Sequence, residues 1–483
     1  MIGTVYATAR LCPGQARPEE GKILKQQTYV YRSRFEAPAD RVFAWHTRPG
    51  AFERLTPPWE RVQLVDRQGT IHDGDRTHLR VQTAGVWRDW IAEHRDYVES
   101  KQFRDVQVEG PMRRWEHTHL VEPVSDGACM LEDRITYELP MGQLGRLLAG
   151  RFTHDKLERM FRYRHAILAQ DLAMQNRYAT ASPQTIAIAG SSGLIGSELV
   201  PLLSTAGHKV IRLVRREPKA DNEVRWSPDE GHLDLAGLAG VDAVVNLAGE
   251  SIVGRWTEAK KQRIRDSREK STRLLAETIS KLDPQPSVLV NASAIGFYGD
   301  RGDEMLDETS SPGEGFLSEA CQAWEASARE AVDAGIRTVF ARFGLVLSPK
   351  GGALANMLPI FRSGLAGQLG DGQQWWSWVA MDDVIGAVFH ALFDESSDAP
   401  AGPMNVVSPN AVTNRTFTKT LGKVIRRPTI IPAPRFALHL AFGDMADDAM
   451  FASARVQPAV LERTGYEFAQ PELEAALRHL LGR

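Results

Sequence analysis

Residues 185–197 read Thr185-Ile-Ala-Ile-Ala-Gly-Ser-Ser-Gly-Leu-Ile-Gly-Ser197, and this stretch decides the fold of the chain. Its alanine and β-branched residues predict a short buried strand, and a helix is predicted from Leu194 to Ala206. Between the two, Gly190, Gly193 and Gly196 recur every third residue. Glycines at these points permit a sharp turn, close approach of the backbone to a pyrophosphate and close packing of the helix on the sheet. Because the glycines follow a strand and open a helix, a dinucleotide site is favoured over a structural glycine-rich turn.

The second strand of this βαβ unit, Lys209–Val214, is followed by Arg215 and Arg216. Folds that prefer NAD usually carry Asp or Glu here for the ribose 2′-hydroxyl. Two arginines suit a 2′-phosphate instead, because a guanidinium matches the geometry of phosphate. The sequence therefore favours NADP(H) over NAD(H), and the alternative is a solvated basic turn.

Further strands and helices alternate after this unit and predict a doubly wound parallel sheet of the Rossmann type. They are strands at Val241–Glu250, Ser287–Asp300 and Thr338–Arg342, with helices at Thr257–Lys281 and Leu317–Ala334. Ligands in such sheets bind beyond the carboxyl ends of the strands. The predicted cofactor-binding residues are Gly190, Ser191, Gly193, Leu194, Ile195, Gly196, Arg215, Arg216, Leu247, Ala248, Gly249, Glu250 and Gly344.

Composition bounds the remaining possibilities. The chain has 483 residues, 43% hydrophobic and 25% charged, with a net charge of −3. This length predicts two or three domains, and the near-neutral balance gives no reason to expect a nucleic-acid partner. Three scattered cysteines fit a reducing compartment. No apolar run is long enough for a membrane span and the N-terminus lacks a signal-peptide core, so a cytoplasmic protein is expected.

Residues 1–23 carry no periodicity and are interpreted as a flexible lead-in. From Gln27 a strand is followed by a short helix at Pro38–His46 and then by strand-like runs punctuated by turn signals. The runs are Val62–Asp66, Thr77–Gln82, Trp87–Tyr97, Lys101–Val108, Arg114–Glu122 and Cys129–Glu138. A long helix follows over about Leu144–Asn176, and its predicted apolar side contains Leu147, Leu148, Phe152, Leu157, Phe161, Ile167, Leu168 and Leu172.

This segment resembles the START-like (SRPBCC) superfamily. The resemblance lies in Pro38-Ala-Asp-Arg-Val-Phe43, Trp115-Glu-His-Thr-His119 and Asp133-Arg-Ile-Thr-Tyr-Glu-Leu-Pro140. It implies an α+β helix-grip domain with an apolar cavity between sheet and helix, and hence a small apolar ligand. The alternative is that side chains fill the cavity and that the domain is structural or a docking module.

His117 and His119 share one face of a predicted strand. Alternate histidines can bind a metal, but the sequence places no third ligand. Half-exposed strand histidines near Trp115 are therefore predicted, with no metal site.

Residues 184–425 resemble the extended short-chain dehydrogenase/reductase superfamily. Beyond the glycine motif, the resemblance lies in Asn246-Leu-Ala-Gly249, Tyr298-Gly-Asp300 and Trp378-Val-Ala-Met-Asp-Asp383. Three further stretches are similar to an atypical epimerase-family group: Ala248-Gly-Glu-Ser-Ile252, Phe316–Glu325 and Arg455–Leu461. That group ends in a small domain of unknown function, which corresponds here to residues 426–483. The expected organisation is a START-like domain over 24–178, a boundary at Ala179–Pro183, the Rossmann-like domain and a helical C-terminal lobe.

The resemblance breaks at the redox centre. The superfamily uses Tyr-x-x-x-Lys, in which the Tyr transfers a proton and the Lys lowers the pKa of the Tyr. Aligned on Glu325, these positions hold Leu317 and Cys321. Substitute catalytic candidates are Tyr298, Ser293 and Glu250, each with a structural alternative. Two functions stay open: an NADP(H)-dependent reductase or isomerase of a small apolar carbonyl or alcohol, and a non-catalytic dinucleotide-binding or sensing protein.

Overall fold

The structure is a computed structural model that describes residues 26–83, 85–140, 143–179 and 182–483. Two compact units are present, one ending at Gln175 and the other beginning at Asn176. The predicted lead-in over 1–23 lies outside the described residues, as does the middle of the predicted linker. Within the ranges just given, no helix combines the length and the apolar character that crossing a membrane requires.

The first unit is built on an antiparallel sheet of seven strands. Their bounds are β1 (Gln27–Phe35), β2 (Val62–Gln68), β3 (Arg76–Thr83), β4 (Val86–Val98), β5 (Gln102–Glu109), β6 (Arg114–Ser125) and β7 (Ala128–Glu138). The order across the sheet is β1-β7-β6-β5-β4-β3-β2, so each hairpin joins neighbours and β1 pairs with β7. The strands predicted from alternation and turn signals are all present, with small differences at their ends.

Helices α1 (Ala39–Thr47), α2 (Ala51–Leu55) and α3 (Gln143–Arg177) complete this unit. The buried side of α3 contains Leu157, Phe161, Ile167, Leu168 and Leu172. The predicted apolar face was wrong at the start of this helix. Leu147, Leu148 and Phe152 are 83%, 69% and 67% exposed, because the apolar cluster of the sheet meets α3 only from Ala149 and Leu157 onward.

The second unit is built on a sheet of eight strands in the order β11-β10-β9-β8-β12-β13-β15-β19. The strands of the unit are β8 (Thr185–Ala189), β9 (Lys209–Val214), β10 (Glu223–Ser227), β11 (His232–Leu233), β12 (Ala243–Asn246), β13 (Val288–Ala294), β14 (Met305–Leu306), β15 (Arg337–Phe343), β16 (Leu345–Leu347), β17 (Trp375–Trp376), β18 (Trp378–Ala380), β19 (Gly402–Val406), β20 (Val412–Thr413) and β21 (Arg455–Val456). From β10 to β19 all pairings are parallel. The chain extends from β8 to β9 and β10, then returns to β12 on the other side of β8. This reversal opens the crevice in which doubly wound folds bind ligands.

The helices of the second unit agree with the prediction in order but not in every boundary. They are α4 (Gly196–Ala206), α5 (Glu258–Ile279), α6 (Phe316–Ala326), α7 (Arg329–Asp333), α8 (Gly352–Ser363), α9 (Met381–Phe393), α10 (Asn414–Ile425), α11 (Arg435–Phe442), α12 (Ala459–Arg463) and α13 (Leu473–Leu481). The single helix predicted over 317–334 is divided into α6 and α7. Between them, the Ser327 hydroxyl donates to the Ala323 carbonyl at 2.7 Å. Such back-bonding often bends helices.

The division between the units lies a few residues before the predicted linker. The hydroxyl of Tyr178 and Nδ1 of His390 are 2.7 Å apart. Arg177 Nη1 donates to Glu467 Oε1 at 3.0 Å. Arg177 and Tyr178, which the sequence assigned to the START-like domain, therefore have polar partners in the second unit.

Candidate functional site

The loop between β8 and α4 makes contacts that exclude larger residues. Gly190 has a φ of +77°, and a Cβ there would lie 2.7 Å from the carbonyl carbon and oxygen of Leu247. A Cβ at Gly196 would lie 2.3 Å from the Gly190 oxygen. Gly193 is less tightly enclosed, and its N–H donates to that same oxygen at 2.9 Å. This turn delays the start of α4 to Gly196, two residues after the predicted start.

The loop is packed closely on its own backbone. The Cα of Ser191 lies only 2.7 Å from where a Cβ of Gly196 would be, while Leu194 packs against Gly351 and Gly352. The first N–H groups of a helix such as α4, which Ile195 precedes, have no intrahelical acceptor and form the positive end of the helix dipole. The loop therefore fits the pyrophosphate of a dinucleotide.

The turn after β12 lies beside this loop. The Leu247 N–H donates to the Ala189 oxygen at 2.9 Å. Buried Asn246 donates to Thr272 Oγ1 at 2.9 Å and to Asn291 Oδ1 at 2.8 Å, and its own Oδ1 accepts from the Ala248 N–H at 3.2 Å. These bonds fix the backbone of Leu247, Ala248 and Gly249 at the switch point of the sheet.

The two arginines that follow β9 have different environments. Arg216 forms a two-point ion pair with Glu223 on β10, at 2.5 Å and 2.8 Å. The Arg215 side chain is exposed and makes no hydrogen bond within the part of the chain that the structure describes. Its charge contributes to lowering the pKa of Glu250, which lies at the turn after β12. The pair predicted from sequence is thus divided, and only Arg215 keeps its donors available.

Glu250 is held as a carboxylate. Lys260 Nζ donates to its Oε1 at 2.6 Å and Arg263 lies 3.9 Å away. The bond from Lys260 is the main reason that the pKa of Glu250 is below its usual value. A carboxylate in this state is a poor proton donor, contrary to the candidate role as a substitute acid.

Ser293 and Tyr298 lie in a buried network, not on an accessible surface. The Ser293 hydroxyl donates to Glu325 Oε1 at 2.7 Å, and Arg342 binds both oxygens of Glu325 at 2.8 and 2.9 Å. Arg342 Nη1 donates to the Tyr298 hydroxyl at 2.9 Å, and that hydroxyl donates to Asn405 Oδ1 at 2.8 Å. Tyr298 is 0% exposed and burial raises its pKa. The structure therefore supports structural roles for both, because their hydroxyls are already engaged.

The positions of the missing redox pair lie on α6 beside the end of β13. A Cβ added at Gly296 would lie 3.1 Å from the Cβ of Leu317, so the two residues are neighbours. Cys321 is buried and accepts a hydrogen bond from the Ala294 N–H, and burial raises the pKa of its thiol to about 11. Neither residue provides a transferable proton or a fixed charge near neutral pH.

A cation that the sequence did not single out lies close to this position. Arg268 on α5 donates to the carbonyl oxygens of Glu250 and Ile264, and its guanidinium lies 4.8 Å from the centre of the Trp324 ring. Its charge opposes the rise in the pKa of Cys321. One polar residue in a long polar helix gave no signal for this placement.

The C-terminal lobe contributes a carboxyl group to the same region. Asp448 accepts hydrogen bonds from the N–H groups of Phe316 and Leu317, at the first turn of α6. Burial nevertheless raises its pKa above the usual value, and Asp444 adds to the rise. Asp448 lies more than 120 residues from α6 in the chain, so sequence reasoning missed it.

Gly344, the last predicted cofactor residue, has a packing explanation. A Cβ there would lie 2.5 Å from the Ser377 oxygen and 2.7 Å from Val407 Cγ1. The glycine therefore allows the chain leaving β15 to pass closely between two neighbouring segments.

His117 and His119 are buried and not half-exposed, contrary to prediction. His117 and His119 are 4% and 6% exposed. A cavity of about 10 Å³ adjoins His119, and its lining combines polar and apolar side chains: His46, Leu55, Leu131, Asp133, Arg164, His165 and Leu168. That volume accommodates about one water molecule. This cavity is too small for the apolar ligand that the resemblance implies.

Family comparisons agree with both predicted resemblances. Residues 186–406 match the NAD dependent epimerase/dehydratase family, and residues 433–480 match a domain of unknown function (DUF1731). The epimerase family protein Mb2239 of Mycobacterium bovis is 42% identical over 299 residues, which are 62% of this chain and 98% of that relative. The chain belongs to the epimerase family. In this epimerase-family chain, residues 35–161 additionally match polyketide cyclase / dehydrase and lipid transport proteins, which confirms the START-like resemblance.

Solved structures cover the same parts. Human epimerase family protein SDR39U1 (isoform 2), solved with NADPH, is 33% identical with a TM-score of 0.56, over 62% of the present chain and 99% of the human one. A structure described as the nucleoside-diphosphate sugar epimerase from Corynebacterium glutamicum is 34% identical with a TM-score of 0.77. It covers 94% of this epimerase-family chain and 90% of its own, so both units are shared. The Rossmann-like fold and the SRPBCC-like sheet are thus confirmed.

Proposed function

We propose that the second unit binds NADP(H) in preference to NAD(H), in the crevice between β8 and β12. The loop Gly190–Gly196 would hold the pyrophosphate, and the turn Leu247–Gly249 would line the opposite side. Arg215 would contact the 2′-phosphate. The main support for this proposal is the difference between the two arginines. The Arg216 guanidinium is already bound to Glu223, whereas the donors of the Arg215 side chain remain available. NADPH in the structure of the human relative supports the same assignment.

The unit is further proposed to lack the proton relay of an ordinary carbonyl reductase. Bound NADPH supplies a hydride, but reduction of a carbonyl also needs a proton donor at the carbonyl oxygen. Leu317 has no proton to give, and the Cys321 thiol is buried with a pKa of about 11. The Tyr298 hydroxyl donates a hydrogen bond to Asn405 inside the buried network. These features favour a dinucleotide-binding or sensing protein over a fast reductase.

The test combines binding and turnover on the full chain. Native mass spectrometry should find the dinucleotide that co-purifies, and calorimetry should give one NADPH site per chain. NADPH oxidation with a panel of small aldehydes and ketones should then be slow, far below the roughly 10 s⁻¹ that is typical of enzymes. Brisk turnover would contradict the proposed absence of a relay, and failure to bind either dinucleotide would contradict the cofactor assignment.

One observation favours a second function, a reductase or isomerase of a small apolar compound. Asp448 has a raised pKa and lies at the N-terminus of α6, beside Leu317. Helix α11 of the same lobe leaves Phe436 and Leu440 77% and 71% exposed, which suits an apolar substrate. In this reading Asp448 would hold the proton that the usual Tyr provides.

The second function is tested with a pair of isosteric variants. Asp448→Asn should lower the turnover of any substrate found by about 10²–10⁴-fold without weakening NADPH binding. Asp447→Asn is the matched control, because Asp447 lies in the same segment but forms an ion pair with Arg435 at 2.6 Å. Equal activities of the two variants would remove Asp448 from the reaction.

A further inference from the structure

A row of polar side chains crosses the sheet of the first unit. His94 on β4 is directly opposite Asp105 on β5, and Asp105 is directly opposite His117 on β6. His119, two residues further along β6, is opposite Asp133 on β7. Residues opposite one another on neighbouring strands share a face, as do residues two apart on one strand. The register of four regular strands, rather than a loop, therefore brings these groups together.

Three of these groups are spaced as ligands of a single ion. Asp105 Oδ2 lies 3.7 Å from His117 Nδ1 and 3.6 Å from His119 Nε2. One ligand atom from each residue lies within 4.8 Å of the other two. Ligands bonded at about 2.0–2.2 Å to one tetrahedral ion are roughly 3.3–3.6 Å apart, so the spacing fits. Two imidazoles and one carboxylate are a donor set used for zinc and non-haem iron.

A second carboxylate, Asp133, lies behind both imidazoles and forms a hydrogen bond with that of His117. Asp133 Oδ1 lies 2.8 Å from His117 Nε2 and 2.7 Å from His119 Nδ1, so each ring meets Asp133 through the nitrogen that faces away from Asp105. Metal-binding histidines almost always donate their other N–H to a carboxylate, a backbone carbonyl or water. On the opposite side, His94 Nδ1 lies 2.7 Å from Asp105 Oδ1, beside that ligand.

We propose that Asp105, His117 and His119 bind one divalent transition-metal ion of the zinc or ferrous class, with Asp133 and His94 as positioning residues. The imidazoles are buried, but the Asp105 side chain is 25% exposed and gives the ion a route from solvent. With three protein ligands, the fourth position of a tetrahedral ion would be taken by water. The competing interpretation is a metal-free ion-pair network.

Cobalt is the probe that distinguishes the two, because its d–d absorption reports ligand number and geometry. The full chain, stripped with a chelator, is titrated with Co²⁺ and, by calorimetry, with Zn²⁺. We expect one ion per chain, visible d–d bands and a rise in the melting temperature of the wild type. Asp105→Asn and His119→Gln should weaken binding at least ten-fold.

His78→Gln is the matched control. His78 Nε2 lies 2.8 Å from Asp89 Oδ1. The substitution therefore removes a histidine–carboxylate pair of the same sheet that lies outside the proposed site. The variant should bind Co²⁺ like the wild type. If a ligand variant fails to fold, the NMR spectrum of the wild-type Co²⁺ form decides, since two histidine ligands should give two paramagnetically shifted imidazole N–H signals. A wild type that binds no ion, or shows no such signals, or whose folded ligand variants bind like the wild type, would overturn the proposal.

Discussion

Arg216 and Glu223 hold each other at two points, with Nη1 2.8 Å from Oε2 and Nη2 2.5 Å from Oε1. The Lys219 N–H also donates to Glu223, and together these bonds lower the pKa of that carboxyl to about 2. Arg216 thus stabilises the turn between β9 and β10. The adjacent Arg215 is the residue whose charge reaches Glu250 at the crevice.

The glycine loop should not tolerate a single added methyl group. In Gly196→Ala the new Cβ would meet the Gly190 oxygen at 2.3 Å and Ser191 Cα at 2.7 Å, so backbone must move. We expect a loss of about 1–3 kcal/mol of stability and at least ten-fold weaker NADPH binding. Thermal denaturation and calorimetry measure both. Gly127→Ala, where a Cβ would meet nothing within 4 Å, is the control. A Gly196 variant that binds NADPH normally would show that the loop does not hold the pyrophosphate.

Restoring the redox pair should raise carbonyl reduction. Leu317→Tyr combined with Cys321→Lys returns a phenol and a cation to the turn of α6 beside Gly296. We expect NADPH oxidation with a generic aldehyde to increase at least ten-fold over the wild type, since acid–base help is typically worth 10²–10⁴-fold. Leu317→Tyr alone should gain less. If the double variant binds NADPH but stays inactive, more than these two groups is missing from the site.

The second unit is expected to fold and bind dinucleotide alone. A fragment of residues 176–483 retains Tyr178, whose hydroxyl contacts His390 at 2.7 Å, whereas a fragment of 184–483 loses it. The longer fragment should be more stable by about 1 kcal/mol, the usual worth of one hydrogen bond. Urea denaturation of the two fragments measures the difference. Aggregation of both, without NADPH binding, would indicate that the first unit is needed for folding.

His390 should make stability depend on pH. Burial lowers its pKa to about 4, and its ring nitrogens contact Tyr178 and Thr464. The unfolded chain therefore binds a proton more readily than the folded one between about pH 4 and 6.5. The stabilisation is complete above about pH 6.5 and is lost as the pH falls toward 4. The free energy of unfolding falls by roughly 1.4 kcal/mol for each unit by which burial lowers the pKa of His390. In His390→Gln this loss should vanish, so a stability difference from wild type that stays equal at pH 7.5 and 5 would contradict it.

Local patterns predicted the parts of the fold that depend on neighbours in sequence. The strand and glycines of 185–197 and the alternating strands of the first unit are of this kind. The environments of Tyr298 and Ser293 depend on Arg342, Glu325 and Asn405, which lie on other elements up to 107 residues away. No periodicity encodes such a network.

Two other predictions from periodicity failed because periodicity does not identify the packing partner. Alternation placed His117 and His119 on one face, but Asp105 joins them only through the pairing of β5 with β6. Helical periodicity likewise continued through Leu147 and Phe152, although the sheet does not cover that end of α3. Sequence indicates which face a residue shares but not which partner lies opposite.

The ratio of the NADH and NADPH dissociation constants tests the central claim most directly. A charged hydrogen bond to phosphate is worth about 1.5–3 kcal/mol, so the wild type should bind NADPH about one to two decades more tightly. Arg215→Ala should reduce the ratio toward one, while Arg216→Ala should preserve most of it. A wild type without preference, or an Arg215→Ala variant that keeps the wild-type ratio, would contradict the assignment of Arg215 to the 2′-phosphate.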